Sequence, residues 1–571
     1  MNYRPEYSHQ WNSKTYYTQL RLDPLGKEGA EEMLNALVGD GAEMRPLKRL
    51  IIERTQGNPF FMEETFQVLL DEGALVRDGA AVRLTKALNE LKIPPTVQAI
   101  LTARIDRLPP DQKDLLQALA VIGKEFQLSL IREVIARSDD ELQRMLGDLQ
   151  LAEFIYEQPA VGELEYSFVH ALTQEVAYNS VLMERRRATH QRTADAIETI
   201  FKERLEDHFS ELARHYLLTT DCAKAIRYSQ AAAQQAVNRL AFAEAAGTVG
   251  AALKLLANLP DDADLMRVEL ALRTIEHAVA TVVHGLASHE RQRVIERMCE
   301  LSERLGETTV QLHGLVNLAY TYFPRGEALQ TLEIGERCLK LAEGEEDSGM
   351  LSSAHLAAAF GAHACGHLDD AVSHYHEAIL QAKRAKGRGF VGPLDPWTVS
   401  ATQLACVLQL LGRSAEAIPL AQGGLGHARG VQNLFSLGLG EAVMSWLHQY
   451  RREPEITRTH ADAGLALAEE HGFPEWMIWG IFHRGWASSE LGEIEKGVAE
   501  MAEGIASFDR LGGVPRKQFA LAMLAQGYQR LGRHDQALAI FEQGLAHVER
   551  SGEMIDTAEI LRLSRNPATQ R

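Results

Sequence analysis

The sequence predicts an all-α protein built mainly as a stack of helical hairpins, and three observations carry that expectation. The first is texture: from the neighbourhood of Leu205 onward the chain is rich in alanine, with small and apolar residues recurring at helical spacing. The second is a recurring turn. Gly326, Gly366, Gly412, Arg452, Gly492 and Gly532 are separated, by subtraction, by 40, 46, 40, 40 and 40 residues, within the period range of helical-repeat arrays. The third is size against composition. The chain has 571 residues, too many for one hydrophobic core, while 46% hydrophobic and 24% charged residues are ordinary for a folded globular chain.

Taken in order, residues 1–92 read as a short helical segment. Within RTQGNPFFMEETFQ, Gly57 permits a tight backbone approach and Pro59 is tolerated in a first helical turn, where its missing N–H has no partner anyway. That helix runs into Val68–Glu72, and Gly73 stops it. Residues 93–200 read as helices over Val97–Leu108, Lys113–Ile122, Leu128–Ala136 and Glu141–Leu149. Two strand-like runs follow, Glu153–Glu157 and Glu163–Phe168, separated by the turn QPAVG. Helices followed by a hairpin predict a winged-helix module.

Residues 201–300 and 301–571 read as irregular and then regular repeats, about eight or nine hairpins in all. In ATQLACVLQLLGRSAEAIPLAQGGL an apolar helix ends at a glycine, and an acidic residue before alanine opens the return helix. Ala371, Ala417 and Ala537 hold equivalent places where two helices approach closely. ELARHYLLTTDCAKAIRYSQAA and LAFAEAAGTVGAALKLL read as two further, less regular pairs, and GRGFVGPLDPW as a loop between repeats. A stack of this kind presents a long face for a protein or peptide partner. Tyr320, Tyr322, Trp446, Trp479, Trp486 and Tyr528 are the candidate contacts on it, against a default role as filling between repeats.

These units resemble tetratricopeptide repeats, with helices longer than the usual 34-residue unit allows. Ahead of them, three short stretches resemble the signal-transduction ATPases with numerous domains, a branch of the AAA-type nucleotide switches. Tyr3-Arg4-Pro5-Glu6-Tyr7 is similar to the strand end that carries the family's sensor arginine; Gly57-Asn58-Pro59 resembles its Gly-x-Pro motif; and Phe168-Val169-His170-Ala171-Leu172 resembles its Met-His-Asp-Leu stretch, with Ala171 in place of the aspartate. The resemblance implies a truncated helical lid, a winged helix and a tetratricopeptide-like solenoid. It also implies a vestigial or complemented nucleotide site in which Arg4 faces the terminal phosphate, Pro59 packs near the base and His170 touches the diphosphate. The likeness is to bacterial proteins often preceded by a class III nucleotide cyclase domain.

The phosphate loop of that family, Gly-x-x-x-x-Gly-Lys-Ser/Thr, is absent from the sequence. Gly26-Lys27-Glu28 and Gly123-Lys124-Glu125 both place an acid where the hydroxyl belongs. ATP or ADP with Mg is therefore expected only if a complementing core supplies the missing loop. The chain is expected not to be an enzyme, and to start near the end of the nucleotide-binding core. The function expected is a sensor or scaffold that modulates a nucleotide switch. The alternatives are the regulatory region of an adenylate or guanylate cyclase and a DNA-binding regulator.

Charge speaks against the last of these. The net charge is −19, and the helix in the recognition position, Asp139–Asp148, carries four acids and one arginine, so nucleic acid is not an expected partner. The basic run Arg185-Arg186-Arg187 reads as a solvated helix face. Five cysteines stand singly, without pairing motifs. The pairs His374/His376 and His208/His215 lack a third ligand at a recognised spacing, so no metal site is expected, and they read as exposed repeat positions. No window approaches a membrane span and the N-terminus is unlike a signal peptide, so a cytoplasmic location is expected. A second copy of the chain is an allowed partner.

Overall fold

The computed structural model describes residues 25–78, 81–86, 91, 96–158, 163–260, 262–385, 394–511, 513 and 516–564. Arg4 lies outside the described residues. The chain divides into two compact units, the first ending at Asp221 and the second beginning at Cys222.

The first unit opens with α1 (Lys27–Val38), α2 (Arg45–Thr55) and α3 (Pro59–Asp71), then a hairpin of β1 (Leu75–Asp78) and β2 (Ala81–Leu84). Leu34, Leu47, Ile51, Met62, Phe66 and Leu69 close a small core between the three helices. There follow α4 (Val97–Arg107), α5 (Pro110–Ile122), β3 (Glu125–Gln127), α6 (Leu128–Val134), α7 (Asp139–Leu151), β4 (Ile155–Gln158) and β5 (Glu165–Phe168). The three strands form one antiparallel sheet in the order β3-β5-β4. The unit ends with α8 (Ala171–Asn179), α9 (Met183–Ile200) and α10 (Phe209–Tyr216).

Helix dominates the chain, but this unit is not purely α. β1, β2 and β3 are absent from the sequence reading, because runs of three or four residues are too short to establish an alternating pattern. One buried ion pair ties the opening helices to the rest. Arg104 donates to both Glu64 oxygens, at 2.7 and 2.6 Å, and to the Ala152 carbonyl at 2.8 Å, joining α4 to α3 and to the end of α7.

The second unit consists of antiparallel helix pairs: α11 (Cys222–Asn238) with α12 (Phe242–Leu256), α13 (Ala263–His284) with α14 (His289–Leu305), α15 (Thr308–Tyr322) with α16 (Ala328–Leu341), and α17 (Ser348–Ala364) with α18 (Leu368–Ala385). They continue as α19 (Pro396–Leu410) with α20 (Ser414–Gly430), α21 (Leu434–Tyr450) with α22 (Pro454–His471), α23 (Pro474–Glu490) with α24 (Ile494–Leu511), and α25 (Lys517–Arg530) with α26 (His534–Ser551). A final α27 covers Thr557–Ser564.

The six recurring turn residues share one conformation. Gly326, Gly366, Gly412, Arg452, Gly492 and Gly532 have φ of 71°, 78°, 76°, 58°, 101° and 70°. The next residue donates back to a helical carbonyl, as in Arg413 N–H to Leu408 O (2.8 Å), Glu453 N–H to His448 O (3.0 Å) and Arg533 N–H to Tyr528 O (2.9 Å), the hydrogen-bond pattern that ends a helix on a left-handed residue. Arg452 takes the glycine position without being glycine. Five residues after these turns lie the buried Ala371, Ala417 and Ala537, together with Thr331, Thr457 and Gly497. At Gly497 a Cβ would stand 2.6 Å from Ser489 N and closer still to the Gly485 carbonyl.

Three details differ from the sequence reading. LAFAEAAGTVGAALKLL is one helix, α12, because its alanines and leucines sustain a helix through Gly247 and Gly250. α10 stays with the first unit rather than opening the repeats, held to α9 by Tyr216 O–H donating to Asp195 at 2.9 Å. Of the expected loop GRGFVGPLDPW, residues 387–393 lie outside the described residues. Pro396 and Trp397 open α19, under a cap in which Asp395 accepts from Thr398 N–H at 2.7 Å.

The repeat unit closes on itself. Leu286 N–H donates to Glu475 at 2.6 Å, and Met554 N–H to the Ala364 carbonyl at 2.9 Å. The segment between α26 and α27 is buried among earlier helices: Arg516 pairs with Asp556 at 2.5 Å, and Tyr450 O–H donates to Asp556 at 2.9 Å.

Candidate functional site

Closure creates a pocket inside the repeat unit. Its wall is made by the first helices of successive pairs: Tyr320 and Phe323 from α15 and its end, Phe360 from α17, Val399 and Gln403 from α19, Leu439, Ala442 and Trp446 from α21, and Glu475, Trp476 and Trp479 from α23. Leu286, Ala287, Pro324, Leu394, Phe508 and Gly513 complete it. The space free of protein atoms, open solvent at its mouth included, is about 760 Å³, of which about 80 Å³ is enclosed cavity.

The rings are locked against one another. Trp446 meets Trp479 edge-on at 4.5 Å, Trp479 meets Phe508 at 4.4 Å, and Phe323 stacks on Phe360 at 4.7 Å. Such contacts fix the wall before any ligand arrives, which lowers the entropic cost of binding. Two polar atoms of lining residues have no hydrogen-bond partner, the Tyr320 hydroxyl and the Trp476 indole nitrogen.

Glu475 is the sole charged side chain among these lining residues. Its surroundings push the carboxyl up to about 7 through desolvation, against the opposing pull of the Leu286 N–H and of Arg291. Arg291 is fully buried and already committed. It donates to Thr281 Oγ1 at 3.0 Å, to the Leu286 carbonyl at 3.1 Å, to Asn317 at 2.7 Å and to the Thr321 hydroxyl. It makes no ion pair with Glu475.

Of the six aromatic residues expected as contacts, Tyr320, Trp446 and Trp479 line this pocket, whereas Trp486 is buried core and Tyr322 and Tyr528 pack half-buried against the core. Sequence reasoning missed Glu475, Trp476, Phe323, Phe360 and Phe508. FPEWMIW, at the start of α23, holds the one available signal: an acid in the first turn of a helix otherwise dense in large apolar residues.

In the first unit the structure brings together two of the three family-like stretches. Gly57 has φ 73°, and a Cβ there would collide with the Leu25 carbonyl; Leu25 N–H donates to Gly57 O at 2.9 Å. Asn58 caps α3 by accepting from Phe61 N–H at 3.0 Å, and Pro59 is the first helical residue. Phe60, next in line, packs its ring on His170 with centroids 3.8 Å apart. His170 precedes α8, so the Gly-Asn-Pro turn and the histidine meet through one aromatic contact.

The remaining candidates have structural duties. Arg185 pairs with Asp114 at 2.7 Å, and Arg186 donates to the Val181 carbonyl at 3.0 Å with its guanidinium over the Tyr178 ring. His215 is not an exposed repeat position. It is buried, 2.8 Å from His190 between ring nitrogens, with Arg214 on its other nitrogen at 2.7 Å. Burial, with Arg214 adding repulsion, holds His190 down to about 4, so the pair is neutral. His374 likewise meets His355, at 3.1 Å. Among the described residues no three His, Cys, Asp or Glu side chains are grouped to hold a metal, and no helix is long and apolar enough to cross a membrane.

No family model matches the chain. A protein of Rhizobium meliloti (strain 1021), itself uncharacterized, is 22% identical over 98% of this chain, and the chain spans about half of that relative's length, 54%. Among solved structures the chain is similar to the apo form of the quorum sensor NprR from B. thuringiensis, at 12% identity and a TM-score of 0.41, covering 72% of this chain and 99% of that one. It is also similar to a signal-transduction ATPase with numerous domains and a tetratricopeptide repeat sensor from Pyrococcus horikoshii, at 13% identity and a TM-score of 0.32, covering 84% of this chain and 72% of that one.

Proposed function

We propose that the repeat unit is a sensor for a protein or peptide ligand, and that ligand occupancy biases a nucleotide switch to which the first unit belongs. The observation that carries the first half is the preformed aromatic pocket, built by five successive first helices, with two unpartnered polar atoms among its lining residues. A peptide library displayed against the full chain tests it. Wild type is expected to enrich peptides that the pocket-filling variant Ala442→Trp no longer binds; equal enrichment by both proteins overturns the reading.

Support for the second half comes from the Phe60–His170 contact, which joins two stretches that resemble the nucleotide-sensing motifs of the switch ATPases. In this reading the module around β3, β4 and β5 is a winged helix and α1–α3 a lid. Gly57, Asn58, Pro59 and His170 would border a nucleotide, yet these residues offer no phosphate-binding loop. No catalytic step is assigned to the chain. Mg-ATP binding by the purified chain is the check: no saturable uptake is expected, and tight uptake overturns it. The acids that open α7, two of them engaged by Arg132 and Arg137, leave DNA no complementary surface there.

A further inference from the structure

Glu475 stands alone as a charge on a wall of aromatic and aliphatic groups. Its hydrogen bond comes from the Leu286 N–H, and the nearest buried cation, Arg291, spends its donors on neutral oxygens. Glu475 shares this wall with aromatic rings, and Arg291, which makes no ion pair with it, is the one cation whose pull on it is resolved. Aromatic faces and a carboxylate together select a cation whose body is apolar, because the ring quadrupoles and the acid both attract positive charge while the rings supply the contact area. An anion meets the opposite field, and a neutral molecule gains only the contact area.

Resting on the reading of this pocket as a ligand site, we propose that it takes an apolar ligand bearing one ammonium group, the nitrogen on the Glu475 carboxylate and the body against Trp446, Trp476 and Trp479. The Tyr320 hydroxyl, unpartnered in the same wall, is a further acceptor that the pocket offers. The groups that face Glu475 are the Leu286 N–H and Arg291, both of which favour its ionised form; Tyr320 and Arg325 are the next groups around Arg291. Binding of a cation therefore strengthens as the acid ionises with rising pH.

The test uses the full chain and three matched probes: 2-phenylethylamine, 2-phenylethanol and 3-phenylpropionate, followed by calorimetry and by the fluorescence of the pocket tryptophans. The amine is expected to bind at least about tenfold more tightly than the alcohol at pH 8, a difference of about 1.4 kcal/mol, and more tightly at pH 8 than at pH 6. Glu475→Gln keeps an acceptor for the Leu286 N–H and is expected to bind amine and alcohol alike, its alcohol affinity showing that the pocket is intact. The amine binding no tighter than the alcohol, the propionate binding best, or no probe binding overturns charge selection. Equal binding of all three probes that disappears in Ala442→Trp overturns the ammonium proposal and leaves the pocket reading standing. Probe binding that survives Ala442→Trp overturns the pocket reading itself. A last arm compares Phe-Leu-amide with its N-acetylated form: a free-terminus peptide that binds more tightly than 2-phenylethylamine identifies a chain N-terminus as the source of the ammonium, and the reverse identifies a free amine.

Discussion

Glycine-to-alanine exchange is expected to have opposite signs at two helical positions of the repeat unit. Alanine is favoured over glycine inside a helix by about 0.8–1.0 kcal/mol. Gly426, in α20, has no atom within 4 Å of where a Cβ would sit, so Gly426→Ala collects that gain in full, about 1 kcal/mol. Gly497, in α24, is different. Its Cβ would stand 2.6 Å from Ser489 N and 2.8 Å from Ser489 Cβ, and it would overlap the Gly485 carbonyl. Overpacking costs about 1–3 kcal/mol, and backbone atoms do not rotate out of the way, so the upper end applies. The net expectation for Gly497→Ala is a loss of about 2 kcal/mol, leaving the two variants about 3 kcal/mol apart. Urea unfolding of the full chain, followed by far-UV circular dichroism, reads the difference as midpoints on either side of wild type. A Gly497→Ala midpoint at or above wild type refutes the account of close helix approach in α23 and α24.

Three further outcomes are expected. Arg452→Gly relieves a left-handed residue that costs about 1–2 kcal/mol and gives up only long ion pairs from its exposed guanidinium to the half-buried Glu490 and Glu559, at 3.9 and 3.7 Å, each worth less than about 1 kcal/mol; its urea midpoint rises. Arg104→Met strands the buried Glu64 carboxylate and lowers the stability of the first unit by about 3–5 kcal/mol, while the double variant Arg104→Met/Glu64→Leu recovers most of the loss. Glu475 has a folded pKa of about 7 against an ordinary 4.5, so the folded state holds more protons in between and loses stability as pH rises through that window. Glu475→Gln lacks this loss, and its urea midpoint relative to wild type climbs between pH 5 and pH 8.

Sequence alone exposes whatever depends on local chemistry. The glycine turns are legible because a left-handed residue must end each first helix. Arg452 shows that the interval, more than the residue, marks the place. The Gly57-Asn58-Pro59 helix start is legible for the same local reason, a cap followed by a proline in the first turn. Asp78 pairs with Ala81 across the β1–β2 hairpin, leaving Gly79 and Ala80 between the strands in sequence, and a glycine first of two such residues is a hairpin signal, though a short one. The pocket is another matter. Its wall runs from Leu286 to Gly513, and no periodicity states which turns of a superhelix will face each other. Trp446 and Trp486 look alike in sequence, yet one lines the pocket and the other is plain core. Contact between Phe60 and His170 is equally invisible, since more than a hundred residues intervene.

The hydrogen bond from Leu286 to Glu475 spans 189 residues of chain. During synthesis at about 5–20 residues per second, that interval lasts about 10–40 s. In the later part of it Tyr320, Phe323 and Phe360 have been made while the tryptophans of α23 have not. For that time a nascent chain shows water a half-built aromatic bowl, the kind of surface that chaperones clasp and neighbouring chains stick to.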